Sequence, residues 1–306
     1  MDEAQAVSAD KPTWRKVVDY PLVAMVIATA LYICAVALAL FIGKFVPQSL
    51  GKVPVAAIHA VITISLLLAV YKLVIARLGG HPRDDLPAGP AIRDGVIGLG
   101  AGVALMAASV GVAAVLGIYK IVGQGDTSTL LLELIAVAIM PGFTEELLFR
   151  GILFRWIEEF GGSWLALLVT SALFGLAHIL NPNATWFSSF AIAVEAGVLL
   201  GGCYMLTRNL WLAMGLHAGW NFTQGEIFDV PVSGIDEHGL VQAQLSGPPL
   251  LSGGQFGLEA SLICLTIATA CGIWMVYRAV RKGHLVHPHW LRGEENADER
   301  LAGTFR

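Results

Sequence analysis

The chain has 306 residues, of which 56% are hydrophobic and 14% are charged, and its mean hydropathy is +0.70. A soluble domain needs roughly a quarter of its residues charged, so this composition excludes an ordinary soluble protein and predicts an integral membrane protein. The balance of 19 Lys and Arg against 23 Asp and Glu excludes a nucleic-acid-binding protein with a basic surface. Four cysteines without a CxxC pair exclude a zinc ribbon and a disulfide-rich secreted module.

Apolar stretches long enough to cross a membrane recur along the whole chain. A spanning helix needs about 20 mostly apolar residues, and the sequence therefore predicts an all-α, polytopic membrane protein with about eight transmembrane helices. The fifth stretch is short, and the fourth is interrupted by charged residues. The predicted spans are residues 22–43, 54–76, 92–118, 129–154, 164–180, 186–207, 209–228 and 258–280.

The positions of Lys and Arg in the short loops predict that both termini lie in the cytoplasm. Basic residues are retained on the cytoplasmic side, and the segments 181–185 and 229–257 on the opposite side contain none. An even number of helices agrees with this orientation. The polar segment before Pro21, followed by the first span, is expected to be an uncleaved signal anchor. Abundant Ala and Gly favour the inner membrane of a bacterium.

The predicted spans divide the chain into four regions. Residues 1–128 hold a polar tail and the first three helices. Residues 129–228 hold helices four to seven, where polar side chains are concentrated. Residues 229–257 form an extracytoplasmic segment rich in Gly, Pro and Ser, for which a flexible loop is favoured over a functional lid. Residues 258–306 hold the last helix and a cytoplasmic tail.

Other residues that often bind metals or shape helix contacts carry weaker signals. The cysteines lie in apolar stretches and are expected to be core or lipid-facing residues. The tail histidines are expected to be hydrated rather than bound to a metal. Glycines at four-residue spacing in two spans predict close helix packing. These residues are Cys34, Cys203, Cys264 and Cys271; His284, His287 and His289; and Gly98, Gly102, Gly197 and Gly201.

Three apolar helices each carry a pair of residues four positions apart, at least one of them polar, and the members of a pair share one helix face. Polar and charged groups in a membrane are costly and normally face a partner or a cavity. A single buried ion pair or histidine is more often structural. Two adjacent glutamates beside one arginine, however, leave Glu145 free, about 100° around the helix from its neighbour. The pairs are Glu146 with Arg150, Phe174 with His178, and His217 with Asn221.

Three of these side chains are predicted to lie at comparable depths. With a rise of about 1.5 Å per residue, Glu145, His178 and His217 lie roughly 15, 21 and 12 Å from the cytoplasmic ends of their helices, so one cavity can hold all three with Asn221. Such a set suits amide hydrolysis, with a carboxylate as base, imidazoles that hold water and an amide for the oxyanion. Glu145, His178 and His217 would also satisfy the three-ligand rule for a catalytic divalent metal, Zn²⁺ if any, although no HExxH motif is present.

The three patterns resemble those of the CPBP family of intramembrane proteases, which includes the type II CAAX prenyl endopeptidases and the bacteriocin-processing or bacteriocin-immunity (Abi) proteins. The family motifs EExxxR, FxxxH and HxxxN stand here at residues 145–150, 174–178 and 217–221. The resemblance covers roughly residues 129–228. It implies an endopeptidase acting on a leader, CAAX-like or other membrane-associated peptide, with membrane lipid and this substrate as partners and no nucleic acid.

The resemblance also implies roles for the motif residues. It implies that Glu145 is the general base, supported by the ion pair of Glu146 with Arg150. It also implies that His178 and His217 bind water or a metal. Asn221 would donate a hydrogen bond to the oxyanion. None of the three motifs requires Glu195, which lies in the sixth span. For this residue, a structural hydrogen bond to a neighbouring helix is favoured over a contact with substrate.

Two functions of other classes stay open. Intramembrane Glu and His side chains also form ion relays in transporters, although the chain shows no related halves of the kind that many transporters have. A protease-like scaffold or immunity protein would keep the motifs and bind a partner without catalysis. The complete set of Glu145, His178, His217 and Asn221 favours the protease.

Overall fold

The computed structural model describes residues 12–292. Its helices confirm the predicted all-α fold of a polytopic membrane protein. The α-helices of the described chain are α1 (Thr13–Asp19), α2 (Pro21–Gly43), α3 (Lys52–Leu73), α4 (Ala91–Val115), α5 (Leu130–Glu133), α6 (Met140–Glu146), α7 (Arg155–Ala177), α8 (Trp186–Thr207), α9 (Trp211–Phe222), α10 (Pro249–Ser252) and α11 (Leu262–Arg281). Three π-helical segments, Leu134–Ile139, Leu147–Phe154 and Thr223–Ile227, and two strands, β1 (Tyr119–Gln124) and β2 (Val241–Leu245), complete the elements used below.

Six helical stretches within residues 12–292 are long and apolar enough to cross a membrane. One of them, Leu130–Leu180, is a continuous stretch of 51 residues that contains the predicted fourth and fifth spans. Gly162 separates these two spans, because its φ of 83° breaks the helical path. The predicted seventh span differs, since α9 has 12 residues and continues into a π-helical segment of 5. Most of α9 is buried inside the protein, so its length is not set by the bilayer.

Local sequence signals mark where two helices begin. α8 follows Thr185, whose hydroxyl accepts the backbone N–H of Ser188, while the hydroxyl of Ser188 accepts the backbone N–H of Thr185. This capping box satisfies two backbone donors that a helix start leaves free. α2 begins with Pro21, which lacks an N–H at a position where no helical partner exists.

Glycines let the backbones of α4 and α9 touch. A Cβ atom added at Gly98 would lie 2.2 Å from the carbonyl oxygen of Leu212, and one added at Gly219 would lie 2.3 Å from the backbone of α4. Gly102 meets α9 in the same way. This contact confirms the close packing predicted for Gly98 and Gly102, and it fixes α9, which carries His217, against α4.

A second glycine contact joins α7 to α8. A Cβ atom at Gly197 would lie 2.5 Å from the side chain of Ser171, and one at Gly201 would lie 2.5 Å from Leu167. From the other helix, Gly175 approaches the backbone of α8 equally closely. The close packing predicted for Gly197 and Gly201 is therefore confirmed, and α7 and α8 form the walls between which Arg150 lies.

The 229–257 segment is folded, which corrects the prediction of a flexible loop. Its strand β2 pairs antiparallel with β1, and Phe256 is buried. Asp229 braces the segment, because its two carboxylate oxygens accept the backbone N–H groups of Gly239 and Ala243. The sequence did not reveal this fold because β2 is short and its partner strand lies more than a hundred residues away along the chain.

The beginning of the tail contacts the helices; His287 and His289 are exposed, as expected for hydrated side chains, whereas His284 is half-buried. His284 Nδ1 lies 3.0 Å from the carbonyl oxygen of Met205, and His289 Nδ1 lies 2.9 Å from that of Phe160. The two imidazoles thus donate to backbone carbonyl oxygens of α8 and α7. The remainder of the predicted tail, residues 293–306, lies outside the described residues.

Candidate active site

The EExxxR motif lies where α6 passes into the π-helical segment Leu147–Phe154. Glu146 ends α6, and Arg150 lies in the π-helical segment, where wide helical turns are frequent at functional sites. Arg150 Nη1 lies 2.8 Å from Glu146 Oε1, and both side chains are fully buried. The predicted pairing of Glu146 with Arg150 is therefore confirmed.

Arg150 also joins the motif to the neighbouring helices. Its Nη2 group donates to the carbonyl oxygens of Ala196 and Gly197 in α8, at 3.2 and 3.4 Å. Its guanidinium carbon lies 4.7 Å from the ring centroid of Phe174 in α7. Hydrogen bonds and a cation–π contact thus replace water around this cation, and Arg150 holds α7 and α8 beside the motif.

Glu146 contacts the HxxxN motif directly. His217 Nδ1 lies 3.0 Å from Glu146 Oε1, the same oxygen that accepts from Arg150. An ionised carboxylate only accepts hydrogen bonds, so His217 carries a proton on Nδ1 and turns Nε2 away from Glu146. Glu146 therefore sets both the tautomer and the orientation of His217.

His178 lies at the end of α7 and is held by its own helix. Its Nδ1 lies 2.7 Å from the carbonyl oxygen of Phe174, to which it must donate. The Phe174 ring contacts both histidines, with centroid distances of 4.7 Å to His178 and 6.1 Å to His217. Both imidazoles thus use Nδ1 for positioning, and no described residue is hydrogen-bonded to either Nε2.

His178, His217 and Asn221 line one internal cavity. Its volume is about 30 Å³, enough for a water molecule. Asn221 is fixed by a hydrogen bond of 2.9 Å from its Nδ2 to the carbonyl oxygen of Val137. The other lining residues include Phe174, Glu195, Leu216, Trp220, Ser233 and Glu259. The cavity brings together three predicted site residues from two helical segments, the end of α7 and α9.

Glu145 lies apart from this cavity wall. It is not among the lining residues, and one of its oxygens is buried without a hydrogen-bond partner in residues 12–292. The carboxylate is within Coulombic range of Tyr32 and of His217. Glu145 is thus a carboxylate without an ion pair in the described chain.

Two further carboxylates line the cavity. Glu195 is 1% exposed, and neither of its oxygens has a hydrogen-bond partner among the described residues. The structural hydrogen bond favoured for Glu195 is therefore not formed there. Glu259 is also buried, and its carboxylate accepts the backbone N–H of Ser233. Sequence reasoning missed Glu259, although an acidic residue at the start of an apolar helix was a usable signal.

Glu145, His178 and His217 do not fit a single metal ion in this arrangement. Ligands of one Zn²⁺ lie about 2.0–2.2 Å from it, so their donor atoms must lie close together. Within residues 12–292 the donor atoms of these three residues do not all fall within 4.8 Å of one another.

Comparison with known proteins supports the motifs. Residues 127–223 match the family model described as type II CAAX prenyl endopeptidase Rce1-like. The comparisons with curated proteins and with solved structures gave no match. The matched region contains the EExxxR, FxxxH and HxxxN motifs and supports a CAAX-type protease within the membrane. Residues 127–223 of this chain are therefore similar to the Rce1-like family of type II CAAX prenyl endopeptidases.

Proposed function

We propose that this protein is an endopeptidase that hydrolyses a peptide bond of a membrane-associated peptide, of leader or CAAX-like type, at or within the bilayer. The observation that carries the proposal is the shared cavity of His178, His217 and Asn221. Two imidazole Nε2 atoms and a fixed amide around a space of water size, inside apolar helices, are the groups that amide hydrolysis requires.

In the proposed reaction, a water molecule beside His178 and His217 donates one hydrogen bond to an imidazole Nε2 and attacks the carbonyl carbon of the peptide bond. Glu145 takes one proton from this water, and the carbonyl oxygen becomes an oxyanion that accepts from the Asn221 amide. The carbon–nitrogen bond then breaks, and the leaving amine takes the proton that Glu145 received. A carboxylate without an ion pair suits this role, because no cation competes for its charge.

Glu146 and Arg150 act as positioning residues in this proposal. Glu146 holds His217 at 3.0 Å, and Arg150 holds Glu146 at 2.8 Å. Arg150 positions Glu146, and Glu146 positions His217. The orientation of His217 therefore depends on a buried ion pair that does not contact the substrate. Such outer contacts commonly set the orientation of a catalytic imidazole.

Cleavage of peptides by the purified protein in lipid nanodiscs tests the proposal. The substrates are a library of membrane-associated peptides, and wild type is compared with Glu145→Gln. Glu159→Gln is the matched control, because Glu159 lies on the same continuous helical stretch and outside the cavity. We expect cleavage by wild type and by the control, and none by Glu145→Gln. If well-folded wild type cleaves no peptide of the library, the proposed protease function is wrong.

The same assay identifies the base. Glu195→Gln and Glu259→Gln are included because these carboxylates line the cavity and Glu145 does not. We expect both variants to keep most of the activity. If Glu195→Gln or Glu259→Gln abolishes cleavage while Glu145→Gln retains it, the assignment of the base to Glu145 is wrong and the endopeptidase function stands.

A further inference from the structure

Three glutamates outside the motifs converge beside the 229–257 segment. Glu133 ends α5, Glu226 lies in the π-helical segment after α9, and Glu237 belongs to the 229–257 segment. One carboxylate oxygen of each lies within 4.8 Å of those of the other two. Glu226 is 1% exposed and Glu237 is 7% exposed. This glutamate cluster therefore joins three separate parts of the chain at a buried point.

The glutamate cluster has no counter-charge in the part of the chain that the structure describes. None of the three residues forms an ion pair with a described Lys, Arg or His. Both oxygens of Glu226, and one oxygen each of Glu133 and Glu237, are buried without a hydrogen-bond partner. Buried carboxylates in this state are costly unless a proton or a cation neutralises them.

Other acidic residues of the same region differ from the cluster. Asp126 accepts the backbone N–H and the hydroxyl of Ser128, and both oxygens of Asp229 accept backbone N–H groups. Burial and the neighbouring Glu133 raise the pKa of Glu237 to about 8. The cluster therefore differs from Asp126 and Asp229 in having buried carboxylate oxygens without hydrogen-bond partners.

We propose that Glu133, Glu226 and Glu237 bind a hard divalent cation, Ca²⁺. The donor atoms are all carboxylate oxygens, which Ca²⁺ and Mg²⁺ prefer. The cluster includes none of the sulfur and imidazole ligands that are typical of Zn²⁺. Oxygens bound to one Ca²⁺ at about 2.4 Å can lie up to about 4.8 Å apart, and those of the cluster lie within 4.8 Å. Three carboxylates offer up to six oxygens, close to the six to eight that Ca²⁺ takes.

An open acidic cavity gives the ion a path to the cluster. Glu237 forms part of the wall of a cavity of about 660 Å³. Acidic residues of the same wall are Asp126, Asp229 and Asp236. A cleft lined by one sign of charge concentrates ions of the opposite sign, so the cavity attracts cations and leads them to the buried oxygens.

A bound ion would tie the 229–257 segment to the two helices beside the catalytic cavity. Val137 lies four residues after the first glutamate of the cluster, and Asn221 lies five residues before the second. The hydrogen bond of 2.9 Å from Asn221 to Val137 thus joins the same two helical stretches about one turn deeper. The proposed site goes beyond the proteolytic function, and its existence does not depend on that function.

Calcium binding to the purified full chain in detergent tests the proposal. After treatment with a chelator, Ca²⁺ is added and followed by calorimetry and by the melting temperature. We expect one Ca²⁺ per chain and a saturable rise in melting temperature. Glu226→Gln should weaken binding at least about tenfold, whereas Asp126→Asn, which removes a charge from the same open cavity but not from the cluster, should bind within about threefold of wild type.

A second variant covers the case in which Glu226→Gln fails to fold. Glu237→Gln lies in the 229–257 segment and should also weaken Ca²⁺ binding at least about tenfold. Absence of binding at millimolar Ca²⁺ overturns the proposal, as does unchanged affinity in Glu237→Gln. The proposal is also overturned if wild type does not bind Ca²⁺ and Glu226→Gln has a higher melting temperature than wild type. That result would show that the three carboxylates only share protons. Mg²⁺ binding tighter than Ca²⁺ binding overturns the choice of ion.

Discussion

His217 Nδ1 lies 3.0 Å from Glu146 Oε1, so the second glutamate of the EExxxR motif holds the histidine of the HxxxN motif. The same oxygen accepts from Arg150 at 2.8 Å. One carboxylate therefore links two motifs that are 71 residues apart. The adjacent Glu145 takes no part in these contacts. Glu146 is thus a positioning residue, whereas Glu145 has no ion pair among the described residues.

Loss of the charge of Glu145 should abolish activity and leave the fold stable. We expect Glu145→Gln to abolish peptide cleavage and to leave the melting temperature within about 2 °C of wild type, because Gln keeps the shape and Glu145 forms no ion pair in the described chain. Activity per folded molecule, measured beside a melting curve, checks this. Near-normal cleavage by a well-folded Glu145→Gln protein would remove Glu145 as the base.

Removal of Arg150 should act on stability first. Arg150→Ala leaves the fully buried Glu146 without its cation, which costs on the order of 3–5 kcal/mol when the pair is buried. We expect low expression and a clearly lower melting temperature. The matched control is Arg278→Ala near the end of α11, which removes an arginine that contacts Trp274. A loss of stability as small as in this control would show that the buried pair is dispensable.

Alanine in place of two glycines of α4 should have opposite effects. Gly98→Ala forces a methyl group against the backbone of α9, 2.2 Å from a carbonyl oxygen, and such overpacking costs about 1–3 kcal/mol. Gly100 has nothing within 4 Å of its added Cβ, so Gly100→Ala should keep or raise stability by up to about 1 kcal/mol. Chemical unfolding of both variants in detergent measures the difference. Equal effects would contradict the close contact of α4 and α9.

The orientation of the chain remains a prediction from its basic residues. We expect a cysteine at Ser246 to react with an impermeant thiol reagent in intact cells, and a cysteine at Asn296, outside the described residues, to react only after lysis. The native Cys34 is exposed and is replaced beforehand. Labelling in the reverse order would place both termini outside and would reverse the sides assigned to all the helices.

Local patterns were sufficient to predict the helices and one ion pair. Apolar stretches of spanning length predict helices wherever they occur, and seven of the eight predicted spans overlap helical stretches of that length in residues 12–292. Glu146 and Arg150 meet because residues four apart share a helix face whatever surrounds the helix. The three motifs could be recognised for the same reason, because all the residues of each motif lie within one or two turns of a single helix.

Tertiary structure alone decided which of these local features meet. Nothing within the EExxxR motif indicates that His217 binds Glu146 rather than Glu145, because the choice depends on how α9 packs against α6. Glu195 and Glu259 reach the cavity from segments that carry no motif, and β2 finds its partner in β1 far along the chain. Contacts between distant residues depend on the packing of whole helices, which a local sequence pattern does not contain.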